Sequence, residues 1–135
     1  MTMFALFCTA TLFGGMLLYS FGFAPLLFSK LPVQQAGTLL REAFPFYYLF
    51  VIVVALVAGL VLLGTDALSA WLMFITLVIG VVARQLLMPA INRASDARAA
   101  GDGTAAGTFK RMHGLSVVLN FVQLVAVGTV LARFV

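Results

Sequence analysis

The chain has 135 residues, of which 64% are hydrophobic and 9% are charged, and its formal net charge is +4. A water-soluble domain of this length has too little interior to bury so much apolar surface, so the composition favours an integral membrane protein. The basic residues flank apolar stretches instead of forming a patch, and we therefore expect the lipid bilayer, and no nucleic acid, as partner.

Four long charge-free runs predict four membrane-spanning helices, because a span needs about 20 predominantly apolar residues. We expect the spans at about residues 3–28, 45–64, 67–88 and 109–132 of a single domain, 1–135. The predicted fold class is an all-α, four-helix transmembrane bundle with a short interfacial amphipathic helix after the first span.

The first span, residues 3–28, lacks the basic flank and short apolar core of a signal peptide, so we expect it to be retained. Pro25 predicts a kink or the end of this helix. Small or polar side chains share one face of the span, which favours close helix packing over ligand binding. They are Cys8, Thr11, Gly15, Tyr19 and Gly22. As the single cysteine, Cys8 allows no intramolecular disulfide.

The segment from Lys30 to Phe44 has apolar residues at helical spacing and polar residues mostly opposite them. This pattern predicts a short amphipathic helix lying at the membrane interface. The alternative is a bent extension of the second span, with Pro45 as the kink.

The second span begins near Pro45, and the aromatic rings of Tyr47 and Tyr48 suit the depth of the membrane interface. Only a very short turn separates it from the third span, so the two predict an antiparallel hairpin in which Thr65 or Asp66 caps the third helix. The third helix either ends near Pro89 or continues, kinked, to about residue 100.

The fourth span, residues 109–132, follows an Ala- and Gly-rich loop at 99–107, and Thr108 is its predicted cap. Its polar side chains His113, Ser116, Asn120 and Gln123 fall within about 80° of one another on a helix. Intramembrane polar residues are often functional, but they also stabilise helix packing by hydrogen bonds of about 0.6 to 2 kcal/mol. Both interpretations stay open for this stripe.

The basic residues between spans predict the orientation of the chain. Those of the first and third connections are Lys30, Arg41, Arg93, Arg98, Lys110 and Arg111. By the positive-inside rule these connections face the cytoplasm, and both termini lie on the non-cytoplasmic side. The expected location is a bacterial inner (cytoplasmic) membrane.

Further polar residues at the predicted cytoplasmic end extend the stripe into a candidate binding pocket. Arg84 either snorkels to the interface or turns inward, where it and Arg41 suit an anionic group. The candidate ligand-binding residues are Arg41, Glu42, Tyr47, Arg84, Asn92, His113, Ser116, Asn120 and Gln123. We identify no catalytic residues and no metal ligands, since zinc prefers four ligands and His113 is the only histidine. The cofactor, if any, is unknown.

Three functional hypotheses follow from these features. The leading one is a non-enzymatic binding protein with a polar pocket at the cytoplasmic side of the bundle. The second is an accessory or structural subunit of a larger membrane complex, or a homo-oligomer. The third is a haem- or metal-dependent membrane oxidoreductase, although one histidine cannot supply two-histidine haem ligation within a chain.

Four short motifs in a fixed order resemble a known family. They are GFAPLLF at 22–28 followed by Leu31-Pro32 and Ala36-Gly37, REAFPFY at 41–47, Asn92-Arg93 with Asp96, and FKRMHGLS at 109–116 with Asn120. Together they resemble the family named after human transmembrane protein 205, a domain otherwise of unknown function, which implies a small four-span membrane protein. The Gly, Pro and Phe pattern ending the first span is also similar to CopD copper-resistance and HemJ protoporphyrinogen-oxidase proteins. The early histidines expected in those haem or copper proteins are absent here.

Overall fold

Four long helices account for most of the chain in the computed structural model, which describes residues 2–135. They are α1 (Met3–Lys30), α2 (Val33–Leu62), α3 (Ala67–Ala99) and α4 (Ala105–Ala132), and each is long and apolar enough to cross a membrane. α1 and α3 each pack against both α2 and α4. The predicted all-α bundle of four helices is confirmed, and it is consistent with an integral membrane protein.

The amphipathic segment before Pro45 forms the first three turns of α2 and is not a separate interfacial helix. α2 begins at Val33 and continues through the proline to Leu62. A proline inside a helix removes one backbone hydrogen bond, and the burial of Ala36 and Leu40 favours continuation of the helix. The segment is therefore an extension of the second helix, as the second of the two predicted arrangements has it.

α1 and α3 each contain one π-helical turn, Leu18–Phe23 in α1 and Ala83–Leu87 in α3. At the end of each turn a backbone N–H donates to the carbonyl five residues earlier. A proline follows two residues after each turn, Pro25 in α1 and Pro89 in α3. A π turn accommodates one extra residue within an α-helix, so both helices continue past their prolines.

A polar contact links the connection between α2 and α3 to the carboxyl end of the chain. The Asp66 carboxylate caps α3 by accepting from the Ser69 N–H at 3.4 Å and the Ser69 hydroxyl at 2.6 Å. Arg133 donates to the same carboxylate from Nε at 2.8 Å and from Nη2 at 3.0 Å. The bond from the Ser69 N–H confirms Asp66 as the cap of α3. The hydrogen bonds to the carboxylate, that from Arg133 above all, lower the pKa of Asp66.

The connection between α3 and α4 is a turn held by Asp102. Gly101 has a φ of 94°, a conformation that side chains disfavour, and Asp102 Oδ1 accepts from the Thr104 hydroxyl at 2.7 Å and its N–H at 2.9 Å. α4 begins directly afterwards at Ala105. The prediction that Thr108 caps this helix is therefore wrong, because Thr108 lies inside the first turn.

Close approach of the helices depends on small residues. A Cβ atom at Gly15 of α1 would lie 2.7 Å from the Phe50 ring of α2, and one at Gly59 of α2 would lie 2.9 Å from the Phe74 ring of α3. Real Cβ atoms do not come so close, so only glycine fits at these contacts without a shift. Gly15 belongs to the predicted packing face of α1, and its contact shows that packing.

Candidate functional site

Charge is confined to the two ends of the bundle, and only one end carries a net charge. At one end the only charged side chains among residues 2–135 are those of Asp66 and Arg133, which pair with each other. Seven basic side chains lie at or near the other end, together with three acidic ones, Glu42, Asp96 and Asp102. Their difference accounts for the whole net charge of +4. We call this the cationic end; its basic residues are Lys30, Arg41, Arg84, Arg93, Arg98, Lys110 and Arg111.

Two of the predicted site residues meet in a polar cluster inside the bundle. Tyr47 Oη donates to Asn120 Oδ1 at 2.6 Å, and Asn120 Nδ2 donates to Ser20 Oγ at 3.0 Å. The Tyr19 ring stacks on that of Tyr47 with the centroids 4.2 Å apart. This cluster ties α1, α2 and α4 together, and its polar atoms largely satisfy one another.

Ser20 is the member of the polar cluster that no sequence pattern predicts. It lies in the π turn of α1, beside Tyr19 of the predicted packing face. A count of 100° per residue assumes a regular α-helix. The π turn changes the direction in which Ser20 points, so helical spacing alone does not place Ser20 opposite Asn120.

Gln123 lies in a separate place, between α4 and α3. Its side chain is 1% exposed, and Nε2 donates to the Thr76 carbonyl at 2.8 Å. Gln123 Oε1 and Tyr19 Oη are the two buried side-chain atoms without a hydrogen-bond partner among residues 2–135. Gln123 thus joins two helices, and it keeps one unused acceptor.

A second group of predicted residues lies on the face that α3 turns towards α2. Arg84 Nε donates to the Pro45 carbonyl at 3.3 Å, and nearer the end of the bundle Arg41 forms a bidentate ion pair with Asp96 at 2.6 and 3.0 Å. With the extra residue of the π turn taken into account, Asn92 lies on the same face, between Arg84 and Asp96. We call Arg84, Asn92 and the Arg41–Asp96 pair the arginine face.

The arginine face has unused hydrogen-bond donors. Nη1 and Nη2 of Arg84 and the side-chain amide of Asn92 make no hydrogen bond to any residue in the range 2–135, although both residues are partly buried. A guanidinium presents its terminal N–H groups in a fork that fits carboxylate or phosphate oxygens. The arrangement therefore suits an anionic group.

The other predicted residues lie outside both groups. Glu42 is exposed beside a shallow surface depression of about 400 Å³. His113 is exposed with its ring parallel to that of Phe109, and the Ser116 hydroxyl donates to the His113 carbonyl at 2.7 Å within α4. The α4 stripe is thus split, because only its deeper half lies within the bundle. The structure does not bring the nine residues into one pocket, and their role in ligand binding stays a prediction.

Two further surface features lie outside the arginine face. A groove of about 310 Å³ runs between α1 and α4, lined by Phe13, Leu17, Phe21, Phe121, Leu124, Val125 and Gly128. At the cationic end, the Arg98 guanidinium lies 4.4 Å from the centre of the Phe109 ring. Across the described part of the chain, no three His, Cys, Asp or Glu side chains come close enough to hold a metal ion.

Comparison with known proteins identifies the family of the region that contains the arginine face. Residues 7–100 match a family described as a domain of unknown function, DUF4149. No curated protein and no solved structure matches the chain. The matched region begins in the second turn of α1, contains α2, α3 and every residue of the arginine face, and stops before α4. Because the match covers more than half of the sequence, the chain belongs to the DUF4149 family.

Proposed function

We propose that the protein is a non-enzymatic membrane binding protein that holds an anionic group on the arginine face. Arg84 carries this proposal. Its guanidinium lies within a span and has one hydrogen bond, a long one of 3.3 Å to a carbonyl oxygen. The two terminal nitrogens make no hydrogen bond within the part of the chain that the structure describes.

The energetics favour an external partner for Arg84. An arginine costs about 2.5 to 3.5 kcal/mol at the centre of a span on insertion scales and less towards its ends, and arginines within spans usually pair or line a polar site. The polar cluster offers little to Arg84, since Tyr47, Asn120 and Ser20 bind one another. A bound anion would therefore be the hydrogen-bonding and charge partner that Arg84 does not find within the fold.

The orientation and the finer family relationship are parts of the same proposal. By the positive-inside rule the cationic end faces the cytoplasm and both termini face away from it, in a bacterial inner membrane. Three of the four motifs that resemble the transmembrane protein 205 family lie inside residues 7–100, which supports extending the relationship to that family. The fourth motif lies in α4 and leads to Asn120 of the polar cluster.

The test is the thermal stability of purified protein in neutral detergent, with inorganic phosphate as the probe and chloride at equal ionic strength as the reference. A ligand that binds the folded state raises the melting temperature with its concentration. We expect phosphate to stabilise the wild type and to lose this effect in Arg84→Gln.

Arg93→Gln is the matched control, because it removes the same charge from an exposed position one residue beyond Asn92. It should keep the phosphate response. Equal responses of the two variants would show that general charge, and not the arginine face, attracts phosphate. Two alternatives stay predictions, because no specific contact among residues 2–135 favours either of them. One is a subunit of a complex or a homo-oligomer, and the other is a haem- or metal-dependent oxidoreductase.

A further inference from the structure

We infer that the anionic group is the phosphate of an anionic phospholipid from the leaflet at the cationic end, and that Asp96 competes with it for Arg41. This inference rests on the proposed function and names the ligand class and the regulation of the same site. Three features support it: the depth of Arg84, the lipid-facing residues around it, and the position of the Arg41–Asp96 pair.

The depth of Arg84 matches that of a lipid head group. The Asp66–Arg133 pair marks the opposite interface, and Arg84 lies 18 residues along the chain from Asp66, about 27 Å at 1.5 Å per residue. The hydrocarbon core is about 30 Å thick, so the guanidinium lies at its edge near the cationic end. A lipid phosphate is within one side-chain length of this depth.

The residues beside the contact face lipid. Phe46, next to Pro45, is 75% exposed, and Val81, three residues before Arg84 and on a neighbouring part of the α3 surface, is 38% exposed. Large apolar side chains exposed at membrane depth are covered by acyl chains. A phospholipid can therefore lay its chains on this surface while its phosphate accepts from Arg84 Nη1 and Nη2 and from the Asn92 amide.

The Arg41–Asp96 pair occupies the water side of the same face. Arg41 lies on α2, one helical turn before Pro45, whose carbonyl accepts from Arg84 Nε; Arg41 is therefore about one turn nearer the water than the residue that Arg84 contacts. While Asp96 holds both terminal nitrogens of Arg41, that guanidinium is neutralised. A phosphate at Arg84 attracts Arg41 away from Asp96, and the carboxylate thus lowers lipid affinity.

The experiment is native mass spectrometry of the full chain in neutral detergent, with phosphatidylglycerol and phosphatidylcholine of identical chains and with inorganic phosphate. We expect the wild type to retain phosphatidylglycerol about fivefold better than phosphatidylcholine, as one basic residue near an anionic surface provides. Arg84→Gln should lose this preference, Arg84→Lys should keep part of it, and Arg93→Gln should keep all of it. Asp96→Asn should increase retention of phosphatidylglycerol.

Each contrary outcome has its own meaning. If phosphate binds through Arg84 but the two lipids are retained equally, the proposed function stands and the lipid inference is overturned. If neither phosphate nor phosphatidylglycerol binds, both are overturned. A lipid preference that survives in Arg84→Gln overturns the site, and unchanged retention in Asp96→Asn overturns the competition. The lysine variant keeps a positive charge, so it tests the site if the glutamine variant fails to fold.

Discussion

The hydrogen bond between Tyr47 and Asn120 gives a direct test of the polar cluster. Tyr47→Phe removes one hydroxyl group and keeps the ring that stacks on Tyr19. The bond is short, at 2.6 Å, and the Tyr47 side chain is 7% exposed, so water does not readily replace it. The variant leaves Asn120 Oδ1 without its partner and creates almost no cavity.

The expected loss follows from measured behaviour of such bonds. Hydrogen bonds between membrane helices contribute about 0.6 kcal/mol on average and up to about 1.7 kcal/mol. A short, buried bond belongs in the upper half of that range. We therefore expect Tyr47→Phe to lower the free energy of unfolding by about 1 to 1.7 kcal/mol. Asn120→Ala should cost more, because it also removes the bond to Ser20.

The assay is unfolding by sodium dodecyl sulfate in mixed micelles, followed by circular dichroism. Tyr48→Phe is the matched control, since Tyr48 is equally buried, at 5% exposed, and its hydroxyl bonds to no residue in the range 2–135. It should change stability little. In the Asn120→Ala background, Tyr47→Phe should have almost no further effect. An equal effect of Tyr47→Phe in both backgrounds would refute the bond.

Three further predictions concern packing, pH and orientation. Gly59→Ala should destabilise the fold by about 1 to 3 kcal/mol because the added Cβ atom meets the Phe74 ring. Gly14→Ala should be neutral or stabilising, since no atom lies within 4 Å of the added Cβ atom, and thermal unfolding of both variants tests this difference. The pKa of Asp66 is lowered in the fold, so its stabilising effect is complete above the unfolded pKa of about 3.9 and is lost as the pH falls towards the folded value. The melting temperature of wild type should consequently fall more steeply in acid than that of Asp66→Asn, and parallel curves would contradict it. Single cysteines within residues 99–107 should resist an impermeant thiol reagent added from outside the cell, and labelling there would reverse the orientation.

The four helices follow from composition, because charge-free runs of span length leave the chain few other ways to satisfy its backbone in lipid. The Asp66 cap followed from its place between two spans. The start of α2 did not, since a proline suits both a first turn and a helix interior whose one lost bond is tolerated.

The candidate site was harder to predict, because residues on one helix face need not share surroundings. Helical spacing aligned His113 with Gln123, yet the first lies exposed and the second is buried. The direction of Arg84 depends on the neighbouring Pro45 carbonyl, which sequence spacing cannot place. The π turns shift later residues by one position, so the alignment of Arg84 with Asn92 is visible only in the structure.

The π turns have a consequence for how this family tolerates changes in length. Deleting one residue inside an α-helical span rotates everything beyond it by about 100° and turns buried side chains towards lipid. Within Leu18–Phe23 or Ala83–Leu87, the same deletion converts the turn to ordinary α-helix and keeps the two flanking halves in their present phase. Natural single-residue gaps within α1 and α3 should therefore fall at these two turns.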